Sequence, residues 1–359
     1  MTSPATVPVP APEPVPLRRR LLRAAGWLAV VAFAWWAVTR LAGAVDWDEV
    51  AAALRRLSWW ALVPMVVLLL VRQTLNAAPM ALYVPGLGLW HATQNDLSAH
   101  VVATFAPPPA DLVLRVAQFR SWDVDPVRAM TGMTLNMATY YGVRVGAPVL
   151  GLAFLAADGI ERRQWLFAGL CALATAALGV AVALILRGDA FAAAVGRAAG
   201  RAGRLVRRGV DPEAWAARVV QVRQTAAGDL RRGILRAVLA LVVMLLVDAS
   251  ILLVALRAVG VGEATLPTLD VLGAFLLAYP LTILPMAGLG VVDALLVGGW
   301  TVAAGTEHEG AIVAATLAWR VVTIGGTLLL GTLALVAWRW RARRRPPADG
   351  TSYLQGVSG

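Results

Sequence analysis

Apolar runs long enough to cross a bilayer alternate along this chain with short polar or arginine-rich stretches. A spanning helix needs about 20 predominantly apolar residues at a rise of roughly 1.5 Å each. Such runs are read over 26–41, 59–83, 130–157, 164–186, 237–256 and 311–338. Residues 269–284 and 291–304 are shorter apolar stretches on either side of a Pro/Gly junction, and so form two further spans or two half-helices. The pattern predicts an all-α fold, a polytopic transmembrane helical bundle of about eight spans plus re-entrant or broken half-helices.

Two segments depart from the pattern. In 91–108, Asn95, Asp96, Ser98 and His100 interrupt the apolar run, and Pro107, Pro108 and Pro109 stop any helix. That segment is expected to be a re-entrant hairpin or a short, broken span. Further on, Pro280 and Pro285 break a run, Gly288 and Gly290 loosen the backbone, and Asp293 follows where hydrocarbon is expected. Broken helices at membrane depth are tolerated where they are buried in protein or line a wet cavity. This junction therefore reads as the hinge of a broken helix facing an internal polar site. The bland alternative is a kink whose Asp pairs with an Arg.

Composition supports the membrane reading. The chain is 59% hydrophobic and 15% charged, against about 45–50% and about 25% in soluble domains. All 32 basic residues are arginine, the net charge is +11 and there is one cysteine, Cys171. Basic residues of a polytopic protein gather in cytoplasmic loops, so the charge does not indicate nucleic acid. Three scattered histidines, His91, His100 and His308, offer no metal-binding spacing, and neither a metal nor a cofactor is expected. Residues 1–17 are Pro-rich and expected to be disordered; 18–340 form the membrane domain; 341–359 are a cytoplasmic tail. Within the membrane domain, 187–236 carry eleven Arg against four acidic residues. There Phe191, Val195, Ala198, Ala202 and Leu205 fall on one helical face, and Arg197, Arg201, Arg204 and Arg208 on another. This is expected to be a basic amphipathic helix on an anionic lipid surface, or simply a positive-inside loop.

Five charges stand alone inside apolar spans: Arg72, Arg144, Asp248, Asp293 and Arg320. Asp96, Asp111 and Arg115 lie near the broken segment of the first half. A lone charge in a span costs roughly 3 kcal/mol on insertion scales and needs a partner or a wet cavity. Structural ion pairing could satisfy them. Yet Arg outnumbers Asp in this set, and a guanidinium fork suits a phosphate oxyanion. Asp293 and Arg320 each lie about ten residues from the turn at 305–310, which predicts similar depth on adjacent antiparallel elements. No catalytic residues are identified: the sequence holds no G-x-S-x-G elbow and no Walker A loop.

The motifs Gly288-Leu-Gly290-Val-Val-Asp293, Ala318-Trp-Arg320 and Pro107-Pro-Pro-Ala-Asp111-Leu-Val-Leu-Arg115 resemble those of one family. It is the integral-membrane region of lysylphosphatidylglycerol synthases and their stand-alone, flippase-like relatives. The likeness covers most of 25–340, with Asp at 293 where the family has Glu, and Asp111 four rather than three residues before Arg115. The resemblance implies no lipid aminoacylation, because the aminoacyl-transferase domain is not seen. What it implies is a non-enzymatic translocator of a membrane phospholipid or lipid-linked headgroup in the cell membrane, while the arginines before the first span and after the last put both termini in the cytoplasm. Two alternatives stand beside it. One is a scaffold or partner for a lipid-modifying envelope enzyme, and the other a lipid-linked glycosyltransferase using Asp46 and Asp48.

The arginine clusters make the topology testable. Single cysteines at positions 210 and 345 are expected to resist an impermeant thiol reagent added outside intact cells, because clustered Arg stays on the cytoplasmic side. Labelling from outside would reverse the orientation.

Overall fold

The computed structural model describes residues 59–106, 109–155, 162–206, 211–225, 230–284 and 288–344, with isolated residues 48, 52 and 55 before them. The expected Pro-rich tail, the first span at 26–41, Pro285 and the last residues of the C-terminal tail lie outside these. The described residues form helices and no strands. In order these are α1 (Trp59–Tyr83), α2 (Gly88–Phe105), α3 (Ala110–Ser121), α4 (Pro126–Leu155), α5 (Arg162–Arg187), α6 (Asp189–Val206) and α7 (Pro212–Thr225). There follow α8 (Leu230–Ala258), α9 (Thr268–Ala278) with a tight 3-10 turn (Tyr279–Ile283), and α10 (Val291–Ala304). Last come α11 (Glu309–Arg320), a π-turn (Val321–Gly325) and α12 (Gly326–Arg344), which run on as one element. Four elements are long and apolar enough to cross a membrane: α1, α4, α8 and the α11–α12 unit. Shorter apolar helices occur within α5, at α9 with its turn, and at α10.

Segment 91–108 differs from its expected form. Its polar residues do not break the helix, because Gln94, Asn95 and Ser98 are buried against protein instead of facing lipid. The hairpin is made one level up, by α2 and α3 together. Arg115 on α3 reaches Asn95 and Asp96 on α2, and Gln118 meets Asn95, so the two helices run antiparallel. The stack of His91 on Trp122, 4.6 Å between ring centroids, closes the open end.

The second hairpin forms where Pro and Gly predict it. Pro280 cannot supply a helical N–H, and α9 tightens into the 3-10 turn before leaving in an extended conformation at Leu284. Gly288 and Gly290 have φ of 67° and 84°, which only glycine adopts freely. A Cβ on Gly288 would also sit 2.6 Å from the Leu281 carbonyl oxygen. The chain can thus fold back tightly and start α10.

The two halves share one order: a long helix, a hairpin, then a long helix. α1 packs along α8, α2 against α12, and α9 against α4. Gly233 at the start of α8 lies beside Tyr83 at the end of α1, so these two are antiparallel. Ser121 at the open end of the first hairpin accepts a hydrogen bond from Trp338 near the end of α12. Gly273 near the start of the second hairpin instead packs on Gly151 and Leu155 at the end of α4. The hairpins therefore enter the bundle from opposite ends, the geometry of an inverted repeat.

Between the halves, the residues expected to form the amphipathic helix lie on α6, up to Val206, and α6 packs on α7 as a helical hairpin. Gly196 and Gly200 let the helices touch, since a Cβ on either would come within 2.6 Å of the Ala216 or Pro212 backbone. Arg197 pairs with Glu213 across the contact. Phe191, Ala198 and Ala202 remain exposed on the other side. At the opposite end of the bundle, the α8–α9 turn is tied by Glu263. Its carboxylate accepts hydrogen bonds from the Thr268 hydroxyl and N–H and faces Arg257, and these hold it below the usual carboxylate range.

Helix association in lipid gains little from burying hydrocarbon and depends on close packing. The core around Leu245, Leu252, Phe275 and Trp319 is fully packed, whereas Val302 and Leu329 face outward. Glycine contacts set the approach of α4 to α9: a Cβ on Gly151 would lie 2.7 Å from the Gly273 carbonyl oxygen. Gly273→Val is therefore expected to destabilise the bundle by about 1–3 kcal/mol through overpacking. A lowered thermal-unfolding midpoint would show it, with Gly298→Val, a glycine with open space around it, as the control.

Candidate functional site

A polar cavity of about 130 Å³ lies where the two halves meet. Its wall includes Arg72, Asn76, Asp96, His100, Tyr140, Arg144, Asp248, Tyr279, Trp319 and Arg320, contributed by both long-helix pairs and both hairpins. Charges from separate spans thus converge on one space.

Asp248 is the best satisfied of them. It sits in the middle of α8 at 2% exposure. Arg72 Nε of α1 approaches its Oδ2 at 3.0 Å. The Tyr279 hydroxyl donates to Oδ2 at 3.3 Å and Trp319 Nε1 to Oδ1 at 3.2 Å. One carboxylate therefore joins α1, α8, the 3-10 turn and α11.

Each hairpin brings its own pair. In the first, Arg115 Nη2 meets Asp96 Oδ1 at 3.2 Å and Nη1 donates to Asn95 Oδ1 at 2.8 Å. Asn76 of α1 donates to the other Asp96 oxygen at 2.8 Å. In the second, Arg320 Nε donates to Asp293 Oδ1 at 2.7 Å. Asp293 Oδ2 accepts the Gly290 N–H at 2.8 Å, so the same side chain caps the start of α10. Asp293 and Arg320 are thus in contact, at the common depth that their spacing about the 305–310 turn predicts.

Arg144 is held differently. Its guanidinium carbon lies 4.4 Å from the Tyr140 ring centroid and 5.3 Å from that of Tyr279. Nη1 donates to the Thr282 carbonyl at 3.4 Å, and Nε is buried with no hydrogen-bond partner among the described residues. The three aspartates Asp96, Asp248 and Asp293 are each engaged by another arginine. Among the described residues of the site four arginines therefore face three aspartates, and the excess cation is Arg144.

Of the residues singled out from sequence, Arg72, Asp96, Arg144, Asp248 and Arg320 line the cavity, with Arg115 and Asp293 bound directly behind. Asp111 does not join them. It lies in the first turn of α3, where a carboxylate complements the positive helix end. Pro280, Gly288 and Gly290 shape the hairpin tip behind Asp293. Sequence reasoning missed Tyr279, Thr282, Gln118, Thr323 and Thr327. Helical spacing held a signal for three of them: Thr323 and Thr327 follow Arg320 by three and seven residues, and Gln118 follows Arg115 by three. Among the described residues no three His, Cys, Asp or Glu side chains converge as metal ligands.

Arg320 and Asp293 are 7% and 9% exposed, so loss of one partner leaves an uncompensated buried charge. Arg320→Gln is expected to cost about 3–5 kcal/mol in thermal or denaturant unfolding. Asp293→Asn combined with Arg320→Gln is expected to recover most of that loss. A double variant no more stable than the single one would show that the pair does not act as a unit.

No curated protein and no solved structure matches this chain. A family model does, over residues 23–331, which takes in the described helices from α1 through α11, the π-turn and the start of α12. The match makes the chain an integral membrane protein of lipid metabolism or transport, and the three motifs that suggested a resemblance all lie inside it. With both hairpins and the helices that flank them, up to the start of α12, inside the matched region, the chain belongs to the family of the lysylphosphatidylglycerol synthase transmembrane region.

Proposed function

We propose that the cavity receives the phosphate-bearing headgroup of a membrane lipid and passes it between leaflets while the acyl tails stay in the bilayer. The observation that carries this reading is Arg144. Among the described residues it lines the cavity without a carboxylate of its own, in a set where the other three arginines are each engaged by an aspartate. An anion placed there would meet a fork of donors already oriented by two tyrosine rings. Headgroup binding would complete the charge balance of a site that holds one cation too many. Arg72 and Arg320 would add to it from the cavity wall, and Arg115 would hold Asp96 in place. The hairpins entering from opposite ends fit a path open in turn to each leaflet.

The arginine-rich segments support an orientation. α6 and α7 lead into the start of α8, which lies beside the end of α1. The end of α12, with Arg339, Arg341, Arg343 and Arg344, bonds to α3 at that same end of the bundle. This end is the cytoplasmic one on the positive-inside rule. There the Arg201 and Arg204 side of the α6–α7 hairpin would rest on anionic lipid.

Arg144→Gln provides the test. Because Arg144 has no carboxylate partner to abandon, the variant is expected to keep its unfolding midpoint. Translocation of fluorescent phosphatidylglycerol in proteoliposomes is expected to fall about tenfold to a hundredfold, the range of one lost charge-assisted interaction. Arg144→Lys, which keeps the charge but not the fork, is expected to lie between. Wild-type translocation by a folded Arg144→Gln protein would remove the cavity from the path.

A further inference from the structure

Outside the bundle, α1, α2 and α12 enclose a furrow of about 670 Å³. Leu70, Leu89, Trp90, Leu330, Leu333 and Ala337 give it hydrocarbon walls, and Arg341 lines it at the C-terminal end of α12. From Leu330 to Arg341 it extends for about 16 Å at the helical rise. At its inner end it reaches the polar cavity, because Gln73 and Leu97 line both.

Gln73 is the partition between the two spaces. Its side chain is 4% exposed, and Nε2 donates across to the Thr327 hydroxyl, which in turn donates to the Thr323 carbonyl. Arg72 Nη1 donates to Gln73 Oε1 at 3.3 Å, so the partition is wired to the arginine that holds Asp248. Thr323 lies in the π-turn Val321–Gly325, which interrupts the regular helical ladder beside the cavity. Gly326 packs directly on Leu69, and Gly331 on the Leu97 backbone, so α12 is pinned on both sides of the furrow. The Gln73 amide is then the movable part of the barrier.

An apolar furrow gains no hydrophobic energy from a lipid chain already in a bilayer, so shape and charge must select the occupant. Shape offers a channel running along a transmembrane helix. Charge offers one guanidinium at the interface end, suited to a phosphate. We propose that the furrow seats an acyl chain of the same phospholipid whose headgroup uses the cavity, and that the headgroup enters by displacing the Gln73–Thr327 hydrogen bond. The proposal rests on the headgroup reading of the cavity. A phosphate drawn to Arg72 competes for the Nη1 that holds Gln73, so the arriving headgroup itself loosens the partition.

Three proteins separate the claims: wild type, Ala337→Trp, which fills the furrow about ten residues along α12 from the cavity-lining Thr327, and Thr327→Val, which removes the acceptor for Gln73. Soluble glycerol 1-phosphate reports on the cavity by thermal shift, and dioleoyl phosphatidylglycerol in proteoliposomes reports translocation. Ala337→Trp is expected to lower translocation about tenfold by overfilling the furrow, with the glycerol-phosphate shift unchanged. Thr327→Val is expected to raise the translocation rate severalfold. Unaltered translocation in Ala337→Trp would overturn the acyl seat, and an unaltered or slower rate in Thr327→Val would overturn the partition. Should Ala337→Trp fail to fold, Leu333→Phe carries the same test. In a Cys171→Ala background, Leu333→Cys cross-linking to a cysteine placed within 26–41 would show this chain's own segment in the furrow and would also overturn the seat. If glycerol phosphate leaves even the wild type unshifted while Ala337→Trp still slows translocation, the headgroup reading fails and the furrow stands.

Discussion

An ionised carboxylate in the middle of a membrane helix loses several kcal/mol of hydration, and only donors arriving from other helices can offset that loss. Asp248 imposes this demand on the bundle. Arg72, Tyr279 and Trp319 meet it from three separate elements, and each distance is within hydrogen-bonding or ion-pairing range. Moving any one of these elements along its axis by a residue would strand a charge or a donor. A single buried side chain thereby fixes the relative depth of α1, α8, the 3-10 turn and α11. The ion pair is poor evidence for stability as such, since apolar packing could serve as well, but it specifies register.

The hairpins solve a related problem. Half-helices leave backbone N–H and C=O groups without helical partners, and the bilayer has no water to accept them. The second hairpin answers with Gly290 and Asp293: the glycine permits the turn and the aspartate takes the free N–H while bonding Arg320. The first hairpin is joined instead through its polar side chains, as Asn95 and Asp96 engage Arg115, Gln118 and Asn76. Each hairpin thus brings an arginine-bound aspartate to the same central space, with Arg115 from the first hairpin itself and Arg320 from α11 beside the second. The approach is possible because glycines replace bulk at the contacts, as with Gly151 on Gly273 and Gly331 on α2.

What separates a transport site from a set of structural pairs is the remainder after pairing. Arg144 is that remainder, and its two flanking tyrosines orient it without neutralising it. Cation–π contacts suit such a role, because they hold a guanidinium in position while leaving its donors available. The π-turn that follows Arg320 serves the same space, since Thr323 and Thr327 face the cavity beside it.

The sequence by itself determined the class of structure. Long apolar runs in a bilayer must be helical, so span positions follow from hydropathy, and the break between α9 and α10 follows from Pro280, Gly288 and Gly290. It also determined the Asp293–Arg320 contact, because a short turn joins the two elements and helical rise then sets their depth. Only the tertiary structure decided the rest. The pairing of Arg72 with Asp248 joins residues distant in sequence, and no local period encodes such a partner. Asn95 and Ser98 looked like helix interruptions, yet they lie in an unbroken α2 because neighbouring protein shields them from lipid. Asp111 and Arg115 share one motif, but the α2–α3 packing turns only the arginine toward the centre. The arginine left over could be identified only after Asp96, Asp248 and Asp293 had found their partners. That is a property of the packed bundle, because charge balance at a site is set by which side chains meet there.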